Sequence, residues 1–141
     1  KPLIQTIKRS VALGNKNSWV IRYHASILDE IFAPNELDNV FIYFPDPWPK
    51  KRHFKNRLIT LEFLFSLYEI QKSGSFLEIK TDHEGYFDWI LERMERAPYK
   101  VTRVSRDLHN SEWAEENFKT HFEKLWTSKG LKTHYLRAEK V

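Results

Sequence analysis

A chain of 141 residues is bounded to one domain, long enough to bury a core of its own. Its 41% hydrophobic and 15% aromatic content excludes a disordered segment, and the absence of cysteine excludes disulfides and thiolate metal sites. The net charge of +4 is modest overall but concentrated locally, which favours a polyanionic partner, and no apolar run approaches the roughly 20 residues that span a bilayer.

Residues 2–13 read as a helix, with Leu3, Ile4, Ile7, Val11 and Leu13 recurring at threes and fours. Gly14-Asn15 supplies a left-handed stop. Residues 18–23 read as a short strand and 26–32 as a short helix broken by Pro34-Asn35. Residues 39–44 are a continuous apolar run of the kind found in strands covered on both faces. The spacing of Leu58, Leu61, Phe65 and Tyr68 predicts an amphipathic helix over 56–71, closed by Gly74. A strand over 75–81 follows, then a helix over 84–97 carrying Tyr86, Ile90 and Met94 on one side and stopped by Pro98. Val101 and Val104 mark a strand over 100–105, and 107–117 reads as a polar loop. A short helix over 120–128, a stop at Gly130 and a strand over 133–139 come next. Strands and helices alternate until these final two strands, which predicts an α/β fold.

The stretch that follows the apolar run carries most of the chemistry. Phe44-Pro45-Asp46-Pro47-Trp48-Pro49 offers a carboxylate between two prolines and a flat aromatic surface. Proline presets its own φ and restricts the residue before it, so Asp46 and Trp48 are both expected in extended geometry. Lys50, Lys51, Arg52, His53, Lys55 and Arg57 then crowd into eight residues. The C-terminal ends of strands are where open α/β sheets bind ligands. An acid, a stacking ring and a phosphate-seeking cluster are therefore expected at one edge. Each has a plainer reading: Asp46 as a turn or cap residue, Trp48 as a plug beneath the loop, and the cations as a solvated helix start. Cations at a helix N-terminus oppose the macrodipole at a cost of about 0.3–1 kcal/mol; phosphate contacts account for them better. The six histidines show no metal-binding spacing.

The same run resembles the signature of the bacterial tRNA (guanine-N(7)-)-methyltransferases, which use S-adenosylmethionine. Thr81-Asp82-His83-Glu84-Gly85-Tyr86 resembles the family's acidic loop after the next strand, and Thr120-His121-Phe122-Glu123 its Thr-Lys-Phe-Glu element. The resemblance implies a class I, Rossmann-like methyltransferase sheet whose last strand is inserted antiparallel. It implies methyl transfer to N(7) of a guanine in the tRNA variable loop, in the cytoplasm. Asp46 is then the catalytic residue, its charge facing the cofactor's sulfonium and the target purine. Asp46, His24, Thr120 and Glu123 are the implied cofactor contacts. Lys50, Asp82, Thr120, His121, Phe122 and Glu123 are the implied substrate contacts. Trp48, Lys50, Lys51, Arg52, His53, Lys55 and Arg57 face RNA. Two positions depart from the family pattern: His24 stands where an aspartate contacts the adenine, and His121 where a lysine is usual.

Asp82 also reads as the N-cap of the following helix, and Thr120 with Glu123 as a capping box. The four glycines, at 14, 74, 85 and 130, form no Gly-rich cofactor turn. The first two strands of such a sheet are missing as well. The chain is therefore expected to be a partial domain, a fragment of a longer enzyme or a part completed by another chain, and to bind S-adenosylmethionine weakly alone. In the usual order 3-2-1-4-5-7-6, residues 18–23 then lack a neighbour and 39–44 become an exposed apolar edge. A non-catalytic RNA-binding module that keeps the basic groove is the alternative function, and a plain α/β scaffold the third.

Overall fold

The computed structural model describes residues 2–141. Strands β1 (Val40–Tyr43), β2 (Phe76–Thr81), β3 (Lys100–Ser105) and β4 (His134–Glu139) form one sheet in the order β1-β2-β4-β3. β1 and β2 are parallel, with Tyr43 opposite Lys80, whereas β4 runs antiparallel to both β2 and β3. This is the 4-5-7-6 half of the expected sheet, with the final strand inserted as foreseen.

Side chains alternate across the sheet. Leu77, Ile79, Leu136 and Ala138 are buried in one cluster with Phe63, Leu64, Leu67 and Ile70 of α2 (Leu61–Ile70) and Tyr86, Phe87, Ile90 and Met94 of α3 (Glu84–Met94). The other face carries Glu78, Lys80, Tyr135 and Arg137. There, the Glu78 carboxylate accepts from Tyr43, Tyr135 and Arg137. Burial alone raises the Glu78 pKa, but those donors outweigh it and hold the carboxyl below its usual range. The same burial and pairing push Tyr135 up to about 12.

Several expected elements differ. Residues 18–23 form no strand, and among the described residues no backbone hydrogen bond joins them to the sheet. Residues 25–30 make a 3₁₀ turn kinked at Ile27 rather than a helix. The helix expected over 56–71 is divided: Lys51–Asn56 is a separate 3₁₀ turn, and α2 begins only where the Thr60 hydroxyl accepts from the Phe63 amide at 3.2 Å. The buried stripe of α2 is accordingly Phe63, Leu64, Leu67 and Ile70, and Phe65 is half exposed. Helix α1 (Pro2–Ala12) matches the pattern but buries none of its residues. β1 is an edge strand, with Phe41 54% exposed, so it is not covered on both faces.

Candidate active site

The parallel pair β1–β2 sets the geometry of the site. The Phe44 amide still reaches the Lys80 carbonyl at 2.8 Å, and the chain then leaves the sheet through Pro45. Asp46 therefore follows the end of β1, and Asp82 the end of β2, at the same edge of the sheet.

Residues 44–48 form an arch with an unusual backbone. Phe44 and Trp48 have φ of 54° and 41°. Trp48 is thus not extended as the proline rule predicts. Such left-handed geometry in a non-glycine residue is sparsely populated and persists only where the surroundings fix it. The Asp46 carboxylate is exposed and makes no hydrogen bond or ion pair among the described residues. Trp48 is partly exposed, its ring edge-on to His53 at 5.6 Å.

A cleft of about 620 Å³ opens beside the arch. Asp46, Trp48, His24, Lys55 and Arg57 line it, with Tyr23, Ser26, Asn56 and Thr60 completing the polar wall. Its size is that of an ordinary small-molecule site. His24 is held there by a 2.6 Å hydrogen bond between its Nδ1 and the Ser26 hydroxyl.

The 3₁₀ turn Lys51–Asn56 sits at the rim. Lys50, Lys51, Arg52 and Lys55 are exposed and form no ion pair with a carboxylate among the described residues. Their charges lie on a turn of their own, so the macrodipole of α2 does not oppose them. Arg57 is different: it is 4% exposed and folded under the arch.

The second group of expected residues gathers at α4 (His121–Thr127). Thr120 and Glu123 form a capping box. Glu123 is fully buried, and each carboxylate oxygen is taken. His109 and Asn117 reach Oε1 at 2.6 Å each, and Lys80 reaches Oε2 at 3.2 Å. Burial raises its pKa, but the hydrogen bonds from Asn117, His109 and Lys80 prevail and lower it. Glu123 thus fixes the start of α4 rather than presenting a free carboxylate. Phe122 packs on Phe44 with ring centroids 4.7 Å apart, joining α4 to the arch. His121 is exposed.

Asp82 does not cap α3. His83 does, its Nδ1 accepting from the Tyr86 amide at 3.0 Å. Asp82 makes no hydrogen bond or ion pair among the described residues. The structure therefore brings Asp46, His24, Trp48 and Lys55 into one cleft, and sets Phe122 beside the same arch, with Thr120 at the start of its helix. It leaves Lys50, Lys51 and Arg52 facing solvent, and buries Arg57 and Glu123. The sequence reading missed Lys80, His109 and Asn117. Only Lys80 left a signal, as a cation that with Glu78 alternates with the apolar Leu77 and Ile79.

Residues 1–136 match the family described as "Putative methyltransferase". A tRNA (guanine-N(7)-)-methyltransferase of Bdellovibrio bacteriovorus is 44% identical over 141 residues, covering 100% of this chain and 68% of that protein. The chain belongs to the tRNA (guanine-N(7)-)-methyltransferase family. Another tRNA (guanine-N(7)-)-methyltransferase, from Lachnoclostridium phytofermentans, is 35% identical over 136 residues, covering 96% of the chain and 64% of that protein. Among solved structures, a SAM-dependent methyltransferase from Aquifex aeolicus superposes with a TM-score of 0.63 at 17% identity, over 99% of this chain and 63% of the other. That likeness establishes the fold, a Rossmann-like methyltransferase sheet in part. The chain thus spans about two thirds of the length of its family relatives. As a family member it carries histidines at positions 24 and 121 within the two groups just described.

Proposed function

We propose that this chain serves methyl transfer from S-adenosylmethionine to N(7) of a guanine in tRNA, at the variable loop. The observation that carries the reading is the Asp46 carboxylate, without a hydrogen-bond or ion-pair partner among the described residues, in a cleft at the carboxyl end of a parallel strand pair. The relatives' names support the chemistry, and the cleft beside Asp46 supports this reading of where it occurs. No helix among the described residues is long and apolar enough to cross a membrane. A cytoplasmic location goes with a tRNA substrate.

The cleft residues fit part of the cofactor. A free carboxylate suits a sulfonium, and Trp48 and His24 offer flat surfaces to an adenine or a guanine. When bound, S-adenosylmethionine supplies an activated methyl group, and the guanine N(7) lone pair needs no deprotonation to accept it. What remains for the protein is orientation and a fixed electrostatic environment. Asp46 supplies the negative charge beside the reacting centre. Lys50, Lys51, Arg52 and Lys55 hold phosphates. Asp82 and Thr120 border the purine with His121 and Phe122, and Glu123 holds their helix in place.

Single-turnover methylation of tRNA by the full-length protein tests this. Asp46→Asn keeps shape and removes charge, so the rate of N(7)-methylguanine formation is expected to fall about 100-fold or more, with the melting temperature unchanged. Wild-type turnover in the variant refutes the role of Asp46. A wild-type protein that binds tRNA and methylates none returns the RNA-binding module.

A further inference from the structure

We propose that Arg57 is a positioning residue: it holds the arch at residues 44–48, and through it the Asp46 carboxylate, instead of touching tRNA. The inference rests on the role proposed for Asp46.

The arch has few means of support. Pro45, Pro47 and Pro49 have no amide hydrogen, so three of the five residues at 45–49 cannot donate a backbone hydrogen bond. The Asp46 carboxylate has no partner among the described residues either. Among the described residues, one hydrogen bond enters this stretch: Arg57 Nε donates to the Pro47 carbonyl at 2.8 Å. The acceptor belongs to the residue next to Asp46.

Arg57 is in turn gripped by aromatic rings. Its guanidinium carbon lies 3.6 Å from the Phe54 ring centroid, 4.9 Å from Tyr86 and 5.0 Å from Trp89. Tyr86 and Trp89 belong to α3, and Tyr86 is fully buried. Phe44 anchors the start of the arch on β2 and on Phe122, and Arg57 ties its far part, beside Asp46, to the core through a cation. A planar guanidinium can stack on rings and donate in the same plane, which an ammonium cannot do.

Two further features fit a positioning role better than a phosphate contact. Arg57 Nη1 is buried with no hydrogen-bond partner, a costly state for a donor that a solvent-facing arginine would avoid. The positive φ values at Phe44 and Trp48 need an external constraint, and Arg57 acts between them, at Pro47.

The test uses Arg57→Lys and Arg57→Met in the full-length protein. The first keeps charge without the fork; the second keeps the packed stem without a donor. With 5-fluorotryptophan incorporated, the Trp48 fluorine signal is expected to broaden or split in both variants, while those of Trp19, Trp113 and Trp126 stay in place. Methylation kcat is expected to fall tenfold or more, with KM for tRNA and its salt dependence within twofold of wild type. Placed on Asp46→Asn, Arg57→Lys is expected to cost nothing more, because the two residues act as one unit. A raised KM with a salt slope flatter by about one contact would make Arg57 an RNA ligand and overturn the proposal. So would movement of all the fluorine signals with general melting in both variants, which assigns Arg57 to the core alone. Full turnover in Asp46→Asn removes the catalytic reading, and the Trp48 signal then decides the hold on the arch independently.

Discussion

His134 carries a cost that pH exposes. Its ring stacks on Phe87 at 5.1 Å and 19°, it is 6% exposed, and its Nδ1 has no hydrogen-bond partner. Burial holds its pKa below the ordinary value, with Arg106 adding to that and Glu84, Asp88 and Asp82 opposing it. The unfolded chain then takes the proton first. Stability is full above the unfolded pKa of about 6.5 and is lost as pH falls through the lower folded value. The urea midpoint of the wild type is therefore expected to drop between pH 7.5 and pH 5.5, and His134→Phe to lessen that drop. Equal drops in both proteins would put the acid sensitivity elsewhere. At this scale some of the site was legible. A carboxylate fixed between prolines at a strand end pointed to Asp46, and that residue lines the cleft. The separation of Arg57 from Lys55 was not legible, because the rings that hold Arg57 include two on α3, distant in sequence. Trp48 misled for a related reason: the proline rule describes local sterics, and the arch overrides them.

Among the elements, α3, β2 and β4 followed their patterns, since each buries one consistent face in the shared core. The stretch before α2 did not. Leu58, Leu61, Phe65 and Tyr68 imitate a helical stripe across two separate pieces, and the Thr60 cap, a three-atom detail, sets the true start. The far end of α2 depends on a residue of another element. Lys140, just past β4, donates to the carbonyls of Tyr68 and Gln71 at 2.7 and 2.8 Å and to the Asn35 side chain at 3.2 Å. A cation there answers both the unpaired carbonyls and the negative end of the helix dipole. Lys140→Met keeps most of the stem but strands those acceptors, and is expected to cost about 2–3 kcal/mol by chemical denaturation, in the range of hydrogen bonds to a charged group. A loss under about 0.5 kcal/mol, the usual span of a surface change, would show that water replaces the ammonium freely.

Over the whole molecule, charge and topology separate cleanly. The cations at Lys50, Lys51 and Arg52 are exposed, so they contribute little to the fold and much to the field at the cleft rim. Replacing all three by Ala is expected to flatten the salt dependence of tRNA binding by about two to three units, with a slope of about 0.7–0.9 per phosphate contact. An unchanged slope would make the cluster ordinary solvated surface. The sheet order was legible through the family resemblance, which implies a last strand inserted antiparallel, and the observed order β1-β2-β4-β3 agrees with it. The failure of residues 18–23 to join it was foreseen from topology, although their own pattern predicts a strand; periodicity cannot supply a neighbour. The order β1-β2-β4-β3 also bears on how the molecule is made. β3 touches the rest of the sheet only through β4, and β4 comes later in the chain than both strands it joins. During synthesis β1, β2, α2 and α3 can collapse together as they emerge, while residues 100–105 wait with an unsatisfied edge until 134–139 have left the ribosome tunnel. Premature termination within that interval strands β3 beside a nearly finished core, and quality control in the cell then meets a half-sheet with two open edges.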